Sequence, residues 1–403
     1  MTGVPRPLAV RIIAFSGLGD FIPFYAVYAL LFANAGLSLA EISSLLAIWS
    51  VTALVLEVPS GAWADIVSRR LLLCAGPVLH ATGFATWILV PNYLGFALGF
   101  VLWGAGSALI SGTLEAFVYD ELAAVDATPS YAGLMGWAGS ASTTGILVAT
   151  FLAAPLFALG GYPLVAWSSV GVALLQALVA LSLPAAPRIA EADEIETGGD
   201  PPPQASIGRR YVLMLKAGLA EVTRVHVVRN AVLISSLIYG LNTHDEYFAL
   251  VAEEKGTATT VIALLVGITA VGEAIGTALA GRTARMRNST MAALLVSAGA
   301  LFAGGSALGG LLGFLGLAVA SGIHNNLIVV TEARVQDTIE GPARATVTSV
   351  GGLLTEFVAL GTFAVYAAGS TVLSVSALVG VLAIPLVLAA FLVPRWTPKP
   401  QPG

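Results

Sequence analysis

Apolar runs of about twenty residues follow one another almost without pause from residue 8 to residue 183, and again from residue 228 to residue 393. No other feature narrows the possible folds so far. A bilayer core takes about 20 consecutive apolar residues as a helix. Inside it only helices and closed barrels satisfy their own backbone hydrogen bonds. The runs are too long for barrel strands and do not alternate in polarity, so helices are expected. They fall near residues 8–34, 40–63, 71–90, 94–122, 131–158 and 162–183, then near 228–252, 258–281, 290–308, 311–335, 344–369 and 371–393. The expectation is an all-α membrane protein with twelve spans in two sets of six. Composition agrees: 57% of residues are hydrophobic and 10% are charged, against about a quarter charged in soluble domains.

The two sets are separated by a stretch rich in proline, glycine and acid from Pro184 to Arg210, a composition that cannot build a core. After it, Arg209, Arg210, Lys216, Arg224 and Arg229 interleave with Tyr211, Leu213, Leu215 and Leu219. That pattern suits an amphipathic helix lying on the membrane surface, or equally a solvated connector. The expected division is a bundle over 1–184, a linker with this helix over 185–227, a bundle over 228–394 and a tail over 395–403. With both termini cytoplasmic, 17 of the 18 lysines and arginines fall on the inner side, leaving Lys255 outside. Positive residues mark cytoplasmic loops, so this orientation is expected, in a bacterial inner or plasma membrane. The N-terminus has no convincing cleavage site and is expected to be a retained first span. The single cysteine, Cys74, cannot form an internal disulfide.

The halves echo each other. The segment beginning EVPSGAWAD at Glu57 has a counterpart 216 residues on, beginning EAIGTALAG at Glu273. EAFVYD from Glu115 returns as EARVQD from Glu332, and more weakly GLGDFIPFYA from Gly17 returns as GLNTHDEYFA from Gly240. Three matches in one order imply two homologous six-helix halves, with a site between them at mid-membrane, a transporter arrangement.

The stretch GAWADIVSRR, between the second and third runs, resembles the G-x-L-A-D-R-x-G-R-K/R signature of the major facilitator superfamily. Gly61, Ala64, Asp65, Arg69 and Arg70 are kept, while Trp63, Ile66 and Ser68 depart from it. The resemblance implies two pseudo-symmetric bundles and transport by alternating access. The fourth run carries S-G-x-x-x-A-x-x-Y-D-x-L and no arginine, which resembles bacterial exporter-like members. The span-five antiporter spacing of glycine and proline is not reproduced.

Ionisable groups within such runs are costly and usually functional. Asp20, after Gly17 and Gly19 and before Pro23, is the first candidate for proton coupling or cation contact. Asp245 and Glu246, next to His244, form the densest polar cluster in a span. They could equally be wet residues near the outer surface. Glu57, Glu273 and Glu356 are further buried acids. His324 and Asn325, with Asn326, are polar at mid-depth, and lone histidines such as His80 read first as core. Phe24, Tyr25, Tyr28, Trp137 and Tyr239 are candidate cavity aromatics for planar or cationic ligands. A cytoplasmic gate is expected from Gly61, Asp65, Arg69, Arg70, Glu115, Asp120, Glu332 and Arg344.

No phosphate-binding loop, zinc-protease motif, nucleophile elbow in a plausible context or redox cysteine pair is present. The chain is therefore not expected to be an enzyme, to need a cofactor beyond a proton gradient, to hold a metal or to bind nucleic acid. Its expected partners are the bilayer and a small molecule, and it is expected to be a monomer. Three functions stay open: a proton-coupled exporter of hydrophobic or amphipathic molecules, a proton symporter or facilitator for a small metabolite, and a membrane scaffold that transports nothing.

Overall fold

The computed structural model describes residues 3–184, 226–339 and 344–398, and of residues 58–66 and 344–346 the backbone alone. Most of the proposed linker and surface helix, with the side chains of Gly61, Asp65 and Arg344, therefore lies outside the described residues. Among those described, every regular element is helical.

The first arm is α1 (Arg6–Asp20), a 3₁₀ turn over Pro23–Ala26, and α2 (Tyr28–Asn34). Then come α3 (Leu39–Ile66), α4 (Arg69–Leu89), α5 (Tyr93–Ile110), α6 (Thr113–Ala123) and α7 (Tyr131–Ser182). The 52-residue α7 is broken at Gly160 and Gly161, whose backbone is not helical. The second arm is α8 (His226–Gly240), a 3₁₀ segment over Leu241–Tyr247, and α9 (Phe248–Glu254). It is followed by α10 (Thr259–Thr283), α11 (Asn288–Leu308), α12 (Gly310–Thr338), α13 (Arg344–Gly369) and α14 (Val375–Trp396). Ten helical segments are long and apolar enough to cross a membrane, with the whole of 128–182 taken as one. This is a multi-pass membrane protein, and its surface fits that solvent: Leu159, Leu94 and Phe391 are 81%, 77% and 71% exposed.

The sequence echo becomes a packing echo. In the first half α3 packs on α5, α4 on α5 and α7, and α1 on α7; in the second, α10 packs on α12, α11 on α12 and α14, and α8 on α13. Small residues permit these approaches. A Cβ added at Gly276 would lie 1.9 Å from the Gly322 carbonyl oxygen, and one at Gly145 2.4 Å from that of Gly17. The arm tips repeat as well. Each ends on a glycine in the left-handed region, Gly36 at φ +90° and Gly256 at φ +74°. The following amide bonds back across the turn, from Leu37 to Phe32 at 3.2 Å and from Thr257 to Ala252 at 3.1 Å. Glycine adopts that conformation without the Cβ clash other residues meet.

The halves meet through α7 against α10, α3 against α13, and α2 against α9. Hydrogen bonds that cross between them include Tyr28 to Glu246, Asn34 to Glu253 (3.4 Å), Ser43 with Tyr247 (2.8 Å) and Ser50 to Glu356. Tyr28, Asn34 and Ser43 make theirs nearest the arm tips, here termed the far end, and Ser50 makes its own midway along α3 and α13. The opposite, basic end carries the α3–α4 and α10–α11 turns with Arg69, Arg70, Arg282, Arg285 and Arg287. Contacts described there stay within one bundle. Arg69 pairs with Asp120 and donates to the Ala116 carbonyl at 3.1 Å, and Arg70 donates to the Leu181 carbonyl. In the second half, the buried Arg334 reaches the Ala284 carbonyl at 3.1 Å and the Asn288 side chain at 2.6 Å, fastening the α10–α11 turn.

Candidate functional site

Between the halves lie two adjoining recesses, here called lobes, that share Trp49, Ser111, Asp245 and Glu246 in their walls. The inner lobe, about 650 Å³, is built mainly on α1, α5 and the first part of α7, with α10 and the second 3₁₀ segment closing it. The lobe toward the basic end, about 1070 Å³, is built on α3, α8, α12 and α13.

Why the acids reach these lobes follows from the two broken arms. Pro23 has no backbone N–H and fixes its own φ. The first arm therefore leaves the α-helical path after Asp20 and restarts at Tyr28. The turn is held from α7: Ser169 Oγ accepts from the Phe24 amide at 3.1 Å, and Gln176 Nε2 donates to the Phe15 carbonyl at 3.1 Å. Asp20 faces the inner lobe and accepts from the Ser142 hydroxyl. In the second arm no proline is present. The chain tightens to 3₁₀ geometry over seven residues, bringing Asp245 and Glu246 both to the wall although they are adjacent. Two buried histidines hold that segment. His324 Nε2 donates to the Ile238 carbonyl at 2.7 Å, His244 donates to the Leu241 carbonyl, and the two rings stack with centroids 5.4 Å apart.

The inner lobe thus gathers Asp20, Asp245, Glu246 and Glu273; the basic-end lobe adds Glu57, Glu332 and Glu356. Among the described residues, no lysine or arginine lines either lobe. Glu57, expected to be buried, and Glu332 are exposed, whereas Asp20, Asp245, Glu246, Glu273 and Glu356 are half-buried, and a carboxylate partly withdrawn from water is costly unless something neutralises it. A wall of this kind therefore favours whatever neutralises it, a proton or a cationic ligand. Aromatic faces adjoin the acids. Tyr25, Tyr28, Trp49 and Trp103 line the inner lobe, with Tyr25 stacked on Trp103 at 5.0 Å, and such faces attract cations.

Several expected site residues fall elsewhere. Phe24 is fully buried against Phe84 and Trp87, at centroid distances of 6.2 and 5.7 Å. It is core because the proline turn points it into the bundle. Trp137 is 60% exposed and off the wall, which α7 presents through Met135, Ala138, Gly139 and Ser142. His324 supports the second arm from behind, and Asn325 donates to Asn242, the residue that lines the lobe, at 3.3 Å. Glu115 is exposed on α6 and lines neither lobe. Asp120 bonds within its own bundle, so the Arg69 pair braces the α4–α6 corner and does not join the halves. Tyr239, Glu332 and Glu356 all line the basic-end lobe.

Trp103, Ser142 and Gln176 belong to the wall although the sequence pattern did not single them out, and His80, read from sequence as core, joins them. Ser107 Oγ lies 3.3 Å from the His80 Nε2. Two signals pointed this way: the aromatic stripe Phe96, Phe100, Trp103 at helical spacing, and the hydroxyl run from Ser140 to Thr144 in an otherwise apolar span.

The fold recurs among solved transporters. The nucleoside transporter NupG superposes with a TM-score of 0.72 at 13% identity, covering 96% of this chain and 97% of that one. A bacterial homologue of the human lysosomal transporter Spinster, inward-facing and unoccupied, gives 0.67 at 17% identity over 96% and 95%. A D-xylose–proton symporter gives 0.66 at 16% over 98% of each chain. No curated protein sequence matches the chain. The sequence profile of the Major Facilitator Superfamily matches residues 12–354, and with the paired-bundle packing this establishes that the chain belongs to that superfamily.

Proposed function

We propose that this protein is a secondary transporter that exports hydrophobic or amphipathic cations in exchange for protons. The observation that carries this reading is the inner lobe: Asp20, Asp245, Glu246 and Glu273 with aromatic faces beside them, and no lysine or arginine among the described residues that line it. In this reading the chain has twelve spans, counting α7 as two and the α8–α9 arm as one. They form bundles over 1–184 and 228–394, joined by a linker over 185–227 and followed by a cytoplasmic tail over 395–403. Both termini are cytoplasmic, as the distribution of basic residues supports, and the basic end is the inner face of a bacterial plasma membrane. The protein acts as a monomer and needs only the proton gradient.

The exchange follows from electrostatics. A cation drawn into the basic-end lobe meets Glu57, Glu332 and Glu356, then the inner acids. Once it neutralises them, the cavity can be enclosed at little cost. After the bundles rock and the far end opens, protons from outside replace the cation on the same groups. Proton and cation compete for one set of carboxylates, so each movement of one is tied to the other.

The test uses proteoliposomes with the basic end facing out. An acidic lumen should drive tetraphenylphosphonium inward, and Asp20→Asn should abolish that uptake while leaving the thermal melt unchanged. Gradient-driven emptying would instead identify a symporter. Failure of every cation and metabolite tried to move would favour the scaffold function.

A further inference from the structure

Two of the hydrogen bonds between the bundles end on carboxylates that also form the cavity wall. The Tyr28 hydroxyl donates to Glu246, and the Ser50 hydroxyl donates to Glu356. Tyr28 is 3% exposed and wedged among Trp87, Phe100 and Trp103. Its hydroxyl therefore has little freedom to follow a receding bundle. Ser50 is 2% exposed. Both donors belong to the first half and both acceptors to the second; the Tyr28 bond lies toward the arm tips and the Ser50 bond midway along α3 and α13. The groups facing Glu246 are Asp245, Glu273, Tyr25 and Tyr247, and those facing Glu356 are Glu57 and Tyr239. Among the described residues, none of these is a cation that would hold either carboxylate in place of the hydroxyl.

We propose that Tyr28 and Ser50 are coupling residues, whose bonds to Glu246 and Glu356 keep the far end shut until a ligand occupies those carboxylates. The inference rests on the exchange reading above and deepens it. A hydrogen bond to an ionised carboxylate is about twice as strong as one between neutral groups. While the cavity is empty and its acids are ionised, the two bonds are at full strength and the far end stays closed. A cationic ligand that takes Glu246 or Glu356 draws the acceptor away from its hydroxyl, and the lock opens toward the side where the ligand is released. An unloaded carrier that cannot open does not slip protons, which is the condition for tight exchange. Tyr28 therefore acts through Glu246, and its ring need not touch the ligand.

The experiment measures far-end separation by spin labels in liposomes at alkaline pH with no substrate. The labels sit on Ala35→Cys and Ala258→Cys, both exposed at the arm tips, in a Cys74→Ser background. Wild type should show one short distance. Tyr28→Phe, which keeps the ring, should raise the population of the longer distance about tenfold, and Ser50→Ala should raise it less. Both variants should leak protons into vesicles without substrate, whereas wild type should not. Tetraphenylphosphonium added to wild type should produce the longer distance. An unchanged distance distribution and tight vesicles in Tyr28→Phe, Ser50→Ala and the double variant would overturn the lock. Because the distance measurement needs no substrate, it separates the two ideas. A shift in a protein that moves no cation removes the exporter and keeps the lock, and cation export with unshifted distances does the reverse.

Discussion

The α1–α2 arm and the α8–α9 arm occupy equivalent places in the two halves, and both leave α-helical geometry partway along their length. They do so by different means. The first is broken at Pro23, whose ring fixes its own φ and removes a donor, with the Ser169 hydroxyl bracing the turn from α7. The second has no proline and is held in 3₁₀ geometry by side chains, chiefly His244 and His324 on the carbonyls of Leu241 and Ile238. A 3₁₀ run of seven residues is longer than such segments usually persist unaided. Placing two adjacent acids on one wall is the result. The comparison teaches that one arm carries its acid on a bend with a covalently fixed residue, and the other carries its acids on a bend that depends on a neighbouring helix.

Four outcomes would sharpen or break that contrast. The largest concerns the acids themselves. Asp20→Asn and Glu246→Gln are each expected to abolish proton-driven cation uptake, measured in proteoliposomes with an acidic lumen. If only the second does so, the arms are unequal in function as well as in construction. Next, His324→Leu strips the donor from the buried Ile238 carbonyl, which should cost about 1–3 kcal/mol and lower the melting temperature. His324→Gln, which can donate again, should recover part of it, and intact stability in His324→Leu would show that the second bend is intrinsic. Third, Pro23→Ala should change stability by less than about 1 kcal/mol, since Ser169 and Gln176 still hold the turn. A loss larger than that of His324→Leu would reverse the ranking.

The smallest effect lies where each arm hands over to the next helix. At the start of α3, Ser38 and Glu41 form a capping box: the Ser38 amide donates to Glu41 Oε2 at 2.8 Å, and Ser38 Oγ accepts from the Glu41 amide at 3.3 Å. The equivalent helix α10 begins at Ala258 without a side-chain cap. Glu41→Ala should therefore lower the melting temperature slightly, by less than any change above, and Glu41→Gln, which can still accept from the Ser38 amide, should recover it. Ala258→Ser should raise the melting temperature by a similar small amount, because it supplies the missing acceptor. Equal melting temperatures for all three variants and the wild type would show that the two handovers do not differ in strength.

How far these features could be read from residues alone varies with the physics behind them. The apolar runs were legible because a bilayer demands length and composition over many residues, and local turns shift the boundaries by only a few. Gly17 and Gly240 head the two weakly matching segments that became the broken arms, a similarity of which residue identity keeps only traces. Phe24, Tyr25 and Tyr28 shared one candidate role, yet Phe24 is core while the other two line the cavity. No spacing rule separates them, because the proline turn rotates the chain between them. Glu57 and Glu273 matched by sequence offset but line different lobes, since α3 faces α13 whereas α10 faces α7.

The sequence by itself determined that the chain crosses a membrane repeatedly as helices, that its halves are related and that its scarce charges include acids within the spans. These are properties of local composition and recurrence, and they hold whatever the helices pack against. Only the tertiary structure decided that acids from both halves line the space between the bundles, that the Tyr28 and Ser50 hydroxyls of the first half bond to Glu246 and Glu356 of the second, and that Arg69 of the loop motif pairs inside its own bundle. Those facts depend on which helix faces meet, and that is set by backbone approach at glycines and by the two arm bends, summed over helices far apart in the chain.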